Sequence, residues 1–256
     1  MTGHLLEDIV RRDRWILAAC LVGAVILSWA YLFAGAGMDT SMPGMVMGPM
    51  VWTAATALVM FAMWCVMMIA MMVPSAAPTV LLFAAIDRKQ TTTGRPPIGA
   101  GIFLAGYIVI WAGFSVIATV FQWGLERAGL MAMDMAVNSQ LFAGGLLIAA
   151  GLYQLTPIKS MCLRHCQSPV LFLSRHWRAG TMGAFRMGLA HGAYCLGCCW
   201  VLMALLFIGG IMNLIWIAGL AIYVGLEKLV AGTAWLSHSA GAGMIGAGLI
   251  VIFRAL

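Results

Sequence analysis

The stretch VWTAATALVMFAMWCVMMIAMMV, Val51–Val73, carries no charged residue. About 20 consecutive apolar residues at 1.5 Å rise cross the roughly 30 Å of hydrocarbon in a bilayer, so this stretch reads as a membrane-spanning helix. Outward from it, six further stretches qualify: Trp15–Gly37, Ile98–Phe121, Ser139–Pro157, Met187–Ile208, Ile211–Leu226 and Ala240–Phe253. The last two are short and glycine-rich, which leaves six or seven spans. No run of ten or so residues alternates polar and apolar as a membrane strand would, so helices are left to satisfy the backbone in lipid. The sequence predicts an all-α polytopic transmembrane bundle, one integral membrane domain over residues 1–256.

Composition agrees. Apolar residues make up 63% of 256 positions and charged residues 9%, with a mean hydropathy of +1.01. Soluble domains carry about 25% charged residues; a water-facing surface cannot be built from so few. The first span is longer than the apolar region of a signal peptide.

Basic residues set the orientation. With the N-terminus in the cytoplasm, the inner loops hold Arg11, Arg12, Arg14, Arg88, Lys89, Arg95, Lys159, Arg164, Arg175, Arg178, Arg186 and Lys228, and only Arg127 and Arg254 lie outside. The expected location is a bacterial inner membrane. The net charge of +6 is spread over several loops, so it reads as an orientation signal and excludes a nucleic-acid partner. The basic loop up to Arg186 suits contact with anionic lipid.

This topology turns Met38–Met50 and Gln122–Asn138 outward. The first contains Met38, Met42, Met45, Met47 and Met50; the second contains Met131, Met133 and Met135 around Asp134. Thioethers are soft neutral ligands suited to Cu(I), although loop methionines that dip into lipid would need no metal. In the second span Met60, Met63, Met67 and Met71 fall within about 80° at 100° per residue, a thioether ladder about 16 Å long. Flexible core filling is the alternative. Pro74 and Pro78 are expected to break this helix at its inner end.

The fifth span carries His191-Gly-Ala-Tyr-Cys195-Leu-Gly-Cys198-Cys199. On a helix His191, Cys195 and Cys198 lie within about 60° of one another, with Cys199 on the edge of that face. One histidine and three cysteines on one buried face suit copper, as Cu(I), or zinc. Further on, Cys162, His165 and Cys166 are again at helical spacing near the cytoplasmic mouth, as free thiols or metal ligands. Glu227-Lys228 reads as an interfacial charge pair. No other carboxylate is expected within a span, which argues against a hard-cation site.

These motifs resemble a bacterial family of predicted metal-binding integral membrane proteins of unknown function. The resemblance rests on MWCVMMIAMMVPSAAP (Met63–Pro78), GLYQLTPIKSMCLRHCQSP (Gly151–Pro169), GLAHGAYCLGCCWVLM (Gly188–Met203) and Glu227-Lys228. It implies metal binding and no particular activity.

Three functions fit. Cu(I) is collected by methionines, passed along Met60–Met71, held at His191/Cys195/Cys198/Cys199 and released near Cys162/Cys166, so the protein transports or handles copper. Alternatively, it is an assembly factor that delivers copper to a periplasmic or membrane metalloenzyme. The third reading is a membrane oxidoreductase using Cys195-x2-Cys198, which a buried, poorly reactive thiol pair disfavours; a non-enzymatic role is preferred. Gly241, Gly243, Gly246 and Gly248 in the last span suit helix association and a homo-oligomer.

Overall fold

The computed structural model describes residues 2–35, 52–90, 98–132, 135–230, 232 and 234–255. The expected methionine-rich segment Met38–Met50, together with Met133 and Asp134, lies outside them. Among the described residues ten helices follow in order: α1 (Thr2–Phe33), α2 (Ala54–Gln90), α3 (Ile98–Arg127), α4 (Gln140–Gln154), α5 (Pro157–Gln167), α6 (Pro169–His176), α7 (Gly180–Ala204), α8 (Leu206–Gly209), α9 (Leu214–Leu229) and α10 (Ala234–Phe253). The fold is a helical bundle. Five helices are long and apolar enough to cross a membrane, and α4 with α5 makes a sixth if that pair, bent by 64°, is one span.

The bend has a local cause. Thr156 precedes Pro157, which pushes it out of helical backbone, and it sits at φ −75°, ψ 145°. Its hydroxyl accepts from the Lys159 amide at 3.3 Å and so starts α5. The stretch counted as a span over Ile211–Leu226 is shorter than about 20 residues: Asn213 caps its start, and α9 is 16 residues long.

Helix α2 runs unbroken through Pro74 and Pro78, contrary to the break expected there. Beside Pro74, Tyr107 of α3 donates to the Met72 carbonyl at 3.1 Å and Ser75 to the same oxygen at 2.9 Å, which ties this stretch of α2 to α3. Packing against neighbouring helices is what lets a membrane helix continue through proline. Helix α3 continues to Arg127, so Gln122 and Glu126 are helical and not part of the expected loop. The chain then turns at Gly129 and pairs Met131 with Val137. The turn is tied to the end of α7 and α8 by Val137 N–H to the Phe207 carbonyl at 2.8 Å.

The closest helix pairs use glycine. A Cβ on Gly188 of α7 would fall on the Phe103 carbonyl of α3, and one on Gly106 on the Phe185 carbonyl. On α4 and α10, Gly144 and Gly151 face Gly248 and Gly241 in the same way. Small residues allow this approach where packing, not hydrophobicity, joins helices. Two of the glycines expected to support association of the last span thus act within the chain. Gly188→Ala is expected to lower stability by about 1–3 kcal/mol, the usual cost of overpacking; thermal unfolding of the purified protein measures it, and an unchanged midpoint would show that α3 and α7 can separate freely.

Two buried clusters result. One gathers Trp64, the α2 methionines, the α7 cysteines and Phe207; the other joins Val73, Val80 and Phe83 of α2 with Phe103, Phe172 and Met187. Leu27, Ile215, Trp235 and Phe253 remain exposed. Such outward apolar surface is what a lipid-facing bundle presents.

Candidate metal centre

Helix α7 delivers three thiols to the bundle interior: Cys195, Cys198 and Cys199 are 2%, 1% and 1% exposed. The i, i+3, i+4 spacing places them on one face. Cys198 and Cys199 both turn back and donate to the Cys195 carbonyl at 3.0 Å. The Cys195 sulfur itself points inward, 3.0 Å from the Tyr107 hydroxyl of α3.

Helix α9 adds a cation. The Lys228 ammonium donates to Cys195 Sγ at 2.9 Å, to Cys199 Sγ at 3.4 Å and to the thioether of Met72 at 3.4 Å. Cys199 also reaches Met72 Sδ at 3.9 Å. From α5, the Cys166 thiol lies in hydrogen-bonding reach of Cys195 and Cys198. Five helices therefore meet at four thiols, one thioether, one phenol and one ammonium.

Glu227 and Lys228 are not the interfacial pair expected from their adjacency; both are buried. Glu227 accepts from Lys159 Nζ at 2.6 and 2.8 Å, from the Tyr223 hydroxyl at 2.7 Å and from Ser237 at 2.6 Å. Lys159 also donates to Gln154, and Gln154 donates to Tyr223 at 2.9 Å. Gln167 donates to the Glu227 carbonyl at 2.7 Å. This network ties α4, α5 and α10 to α9 and sets the rotation of α9 that turns Lys228 toward the sulfurs.

The other sequence-predicted residues are spread more widely. His191 sits one turn from Cys195, with its ring 5.0 Å from Phe172, 5.7 Å from Tyr107 and 6.0 Å from Phe103 between centroids. Its Nδ1 is buried without a hydrogen-bond partner. Cys162 rests on Gly197, where no Cβ intervenes. His165 turns away from Cys166 and stacks on Tyr194 at 4.2 Å. Met60, Met63, Met67 and Met71 are all buried along α2, yet the thioether that reaches the thiols belongs to Met72.

Among the described residues, no three Cys, His, Asp or Glu side chains stand ready to close on one metal ion. The geometry gives the reason: two thiols are committed to a backbone carbonyl, and an ammonium occupies the space between sulfurs. Sequence reasoning missed Lys228, Met72 and Tyr107. A signal for Lys228 was present, because neighbours one apart on a helix point about 100° away from each other, so Glu227 and Lys228 cannot face one partner.

The fold is a bundle of helices of membrane-spanning length around a buried sulfur-rich core. A family model agrees: the PpoB2 family, described as copper chaperone, matches residues 61–251. The chain belongs to this family. No curated protein and no solved structure matches it.

Proposed function

We propose that the protein binds Cu(I) at the α7 thiols and Met72 and delivers it to a copper protein at the membrane. The observation that carries this is the convergence of Cys195, Cys198, Cys199, Cys166 and Met72 around Lys228 in a fully buried site. Thiolate and thioether ligands select Cu(I) over hard cations. Rotation of Cys199 away from the Cys195 carbonyl turns its sulfur toward the metal beside Cys195. Met72 supplies a neutral third ligand, and the unpartnered Nδ1 of His191 is the nitrogen donor within one helical turn. Family membership supports delivery.

Lys228 gives the site its charge preference. Two thiolates and one Cu(I) leave one negative charge, which the ammonium neutralises; a buried charge without a partner is costly. Zinc, with one more positive charge, would leave the same set positive. Lys228→Met is therefore expected to weaken Cu(I) and favour Zn(II), lowering the Cu(I)-over-Zn(II) preference by more than about tenfold. A unit charge 4 Å away is worth about 4 kcal/mol at an effective dielectric of 20, well above the 1.4 kcal/mol of a tenfold change. Competition titrations of the purified reduced chain with both metals read it directly. No stoichiometric Cu(I) in the native chain would end the proposal, and unchanged preference in Lys228→Met would end the counter-charge role.

A second reading, movement of copper through the bundle, is favoured by one observation: Met60, Met63, Met67, Met68, Met71 and Met72 are all at most 3% exposed, a continuous thioether column. The basic residues that stay outside the core, with Lys159 and Lys228 set aside, support a cytoplasmic N-terminus at a bacterial inner membrane. The column then runs inward from the end of α2 that carries Met60. Recovery of copper inside liposomes, compared with its transfer to an acceptor added outside, separates transport from delivery.

A further inference from the structure

At the end of α2 away from the thiols a second set of donors converges. Gln122 of α3 is fully buried. Its amide nitrogen lies 3.6 Å from Met60 Sδ, 3.9 Å from Met135 Sδ and 3.1 Å from Glu126 Oε1. The amide oxygen is held by Trp64 Nε1 at 2.9 Å, and Glu126 Oε2 accepts from Trp52 Nε1 at 2.5 Å. Two thioethers are weak acceptors for a buried amide, and leucine would fill the same space as well as either methionine. A fully buried glutamine in apolar surroundings is costly even when its amide is paired, as Gln122 is with Trp64 and Glu126.

An independent observation concerns Met135. Among the described residues it is the non-glycine residue with positive φ, at 57°. That conformation costs an L-residue about 1–2 kcal/mol. It is held by Met135 N–H to the Ala132 carbonyl at 3.0 Å and by Ile211 N–H to the Met135 carbonyl at 3.5 Å. Backbone strain of this kind collects at functional sites, and here it aims a thioether at Gln122.

We propose that Met60, Met135 and Glu126, with the Gln122 amide as the group that moves aside, form a second site for a soft monovalent cation. This rests on the reading of the chain as a Cu(I) binder and adds where copper first lodges or last leaves. Two neutral thioethers and one carboxylate balance a single positive charge and leave a divalent ion uncompensated. From Met60 to Met72 the helix rises about 18 Å, and the buried methionines between them join this site to the thiol cluster. Thioethers hold the ion less tightly than thiolates, so the site exchanges readily.

The test uses the full reduced chain in detergent with Ag(I), a redox-inert monovalent probe, counted after equilibrium dialysis. With Cys20, Cys65 and Cys162 replaced by serine throughout and ions counted as differences, Met60→Leu/Met135→Leu binds one ion fewer than this parent. Cys166→Ser/Cys195→Ser/Cys198→Ser/Cys199→Ser also binds one fewer, and the variant carrying both sets binds two fewer. Glu126→Gln, which keeps the shape, weakens the exchangeable ion by about tenfold or more, the low end of what lost ligand support costs. A parent that loses an ion only on cysteine substitution overturns the second site and leaves the thiol site standing. A second ion unaffected by the methionine and Glu126 substitutions overturns it too. No Ag(I) in the native chain overturns both.

Discussion

Replacing Glu227 by alanine is expected to destabilise the protein by about 3–5 kcal/mol, the cost of leaving one member of a buried ion pair alone. Lys159 is 1% exposed and has Glu227 as its charged partner, at 2.6 Å. Tyr223, Ser237 and Lys159 would lose their acceptor together. The Lys159 ammonium would keep the neutral Gln154 as an acceptor and lose its charged partner. Denaturant or thermal unfolding of the purified chain measures the loss. The companion variant Lys159→Met/Glu227→Leu should recover much of it, because an apolar pair of similar volume often replaces a buried ion pair at little cost. A Glu227→Ala midpoint equal to the native one would mean that the network bears no weight. Copper affinity should fall in the same variant, since the network sets the direction of Lys228.

The second large effect falls on the metal. Cys195→Ser/Cys199→Ser is expected to weaken Cu(I) by more than about 100-fold, beyond the 10- to 100-fold that loss of a merely orienting partner costs. Serine keeps a polar atom for Lys228 and Tyr107 at position 195, so the fold should survive. That separates this variant from Glu227→Ala, which loses stability first. A bicinchoninate competition titration gives the affinity. Native-like Cu(I) binding in the double serine variant would show that Cys195 and Cys199 fill space only and that copper is held elsewhere.

Much of the site was legible along the chain, and the missing parts share a cause. The His191–Cys199 spacing already implied one face of a buried helix, and Cys195, Cys198 and Cys199 do share the interior. Cys166, read as part of a separate mouth, joins them because α5 folds back against α7 after the turn at Pro157. The methionine ladder was chosen by angular alignment, which favoured Met71 over Met72. Whether a side chain meets the thiols depends on how α2 sits against α7 and α9, and angular alignment within α2 carries no such information. The prolines misled in a similar way: α1 and α3 pack along α2 and the helix continues through both positions.

The sequence by itself determined that the chain is a helical bundle of membrane-spanning length, because hydrophobic length and the need to satisfy the backbone in lipid are local properties. It also determined that sulfur side chains are concentrated on α2 and α7, since helical period fixes which residues share a face. Only the tertiary structure decided which cations and carboxylates enter the core and whom they meet. Lys228 faces sulfur, Glu227 faces Lys159, and Gln122 faces two thioethers. Those choices depend on the rotation and close approach of helices far apart in sequence, which small residues such as Gly106, Gly188, Gly151 and Gly241 permit.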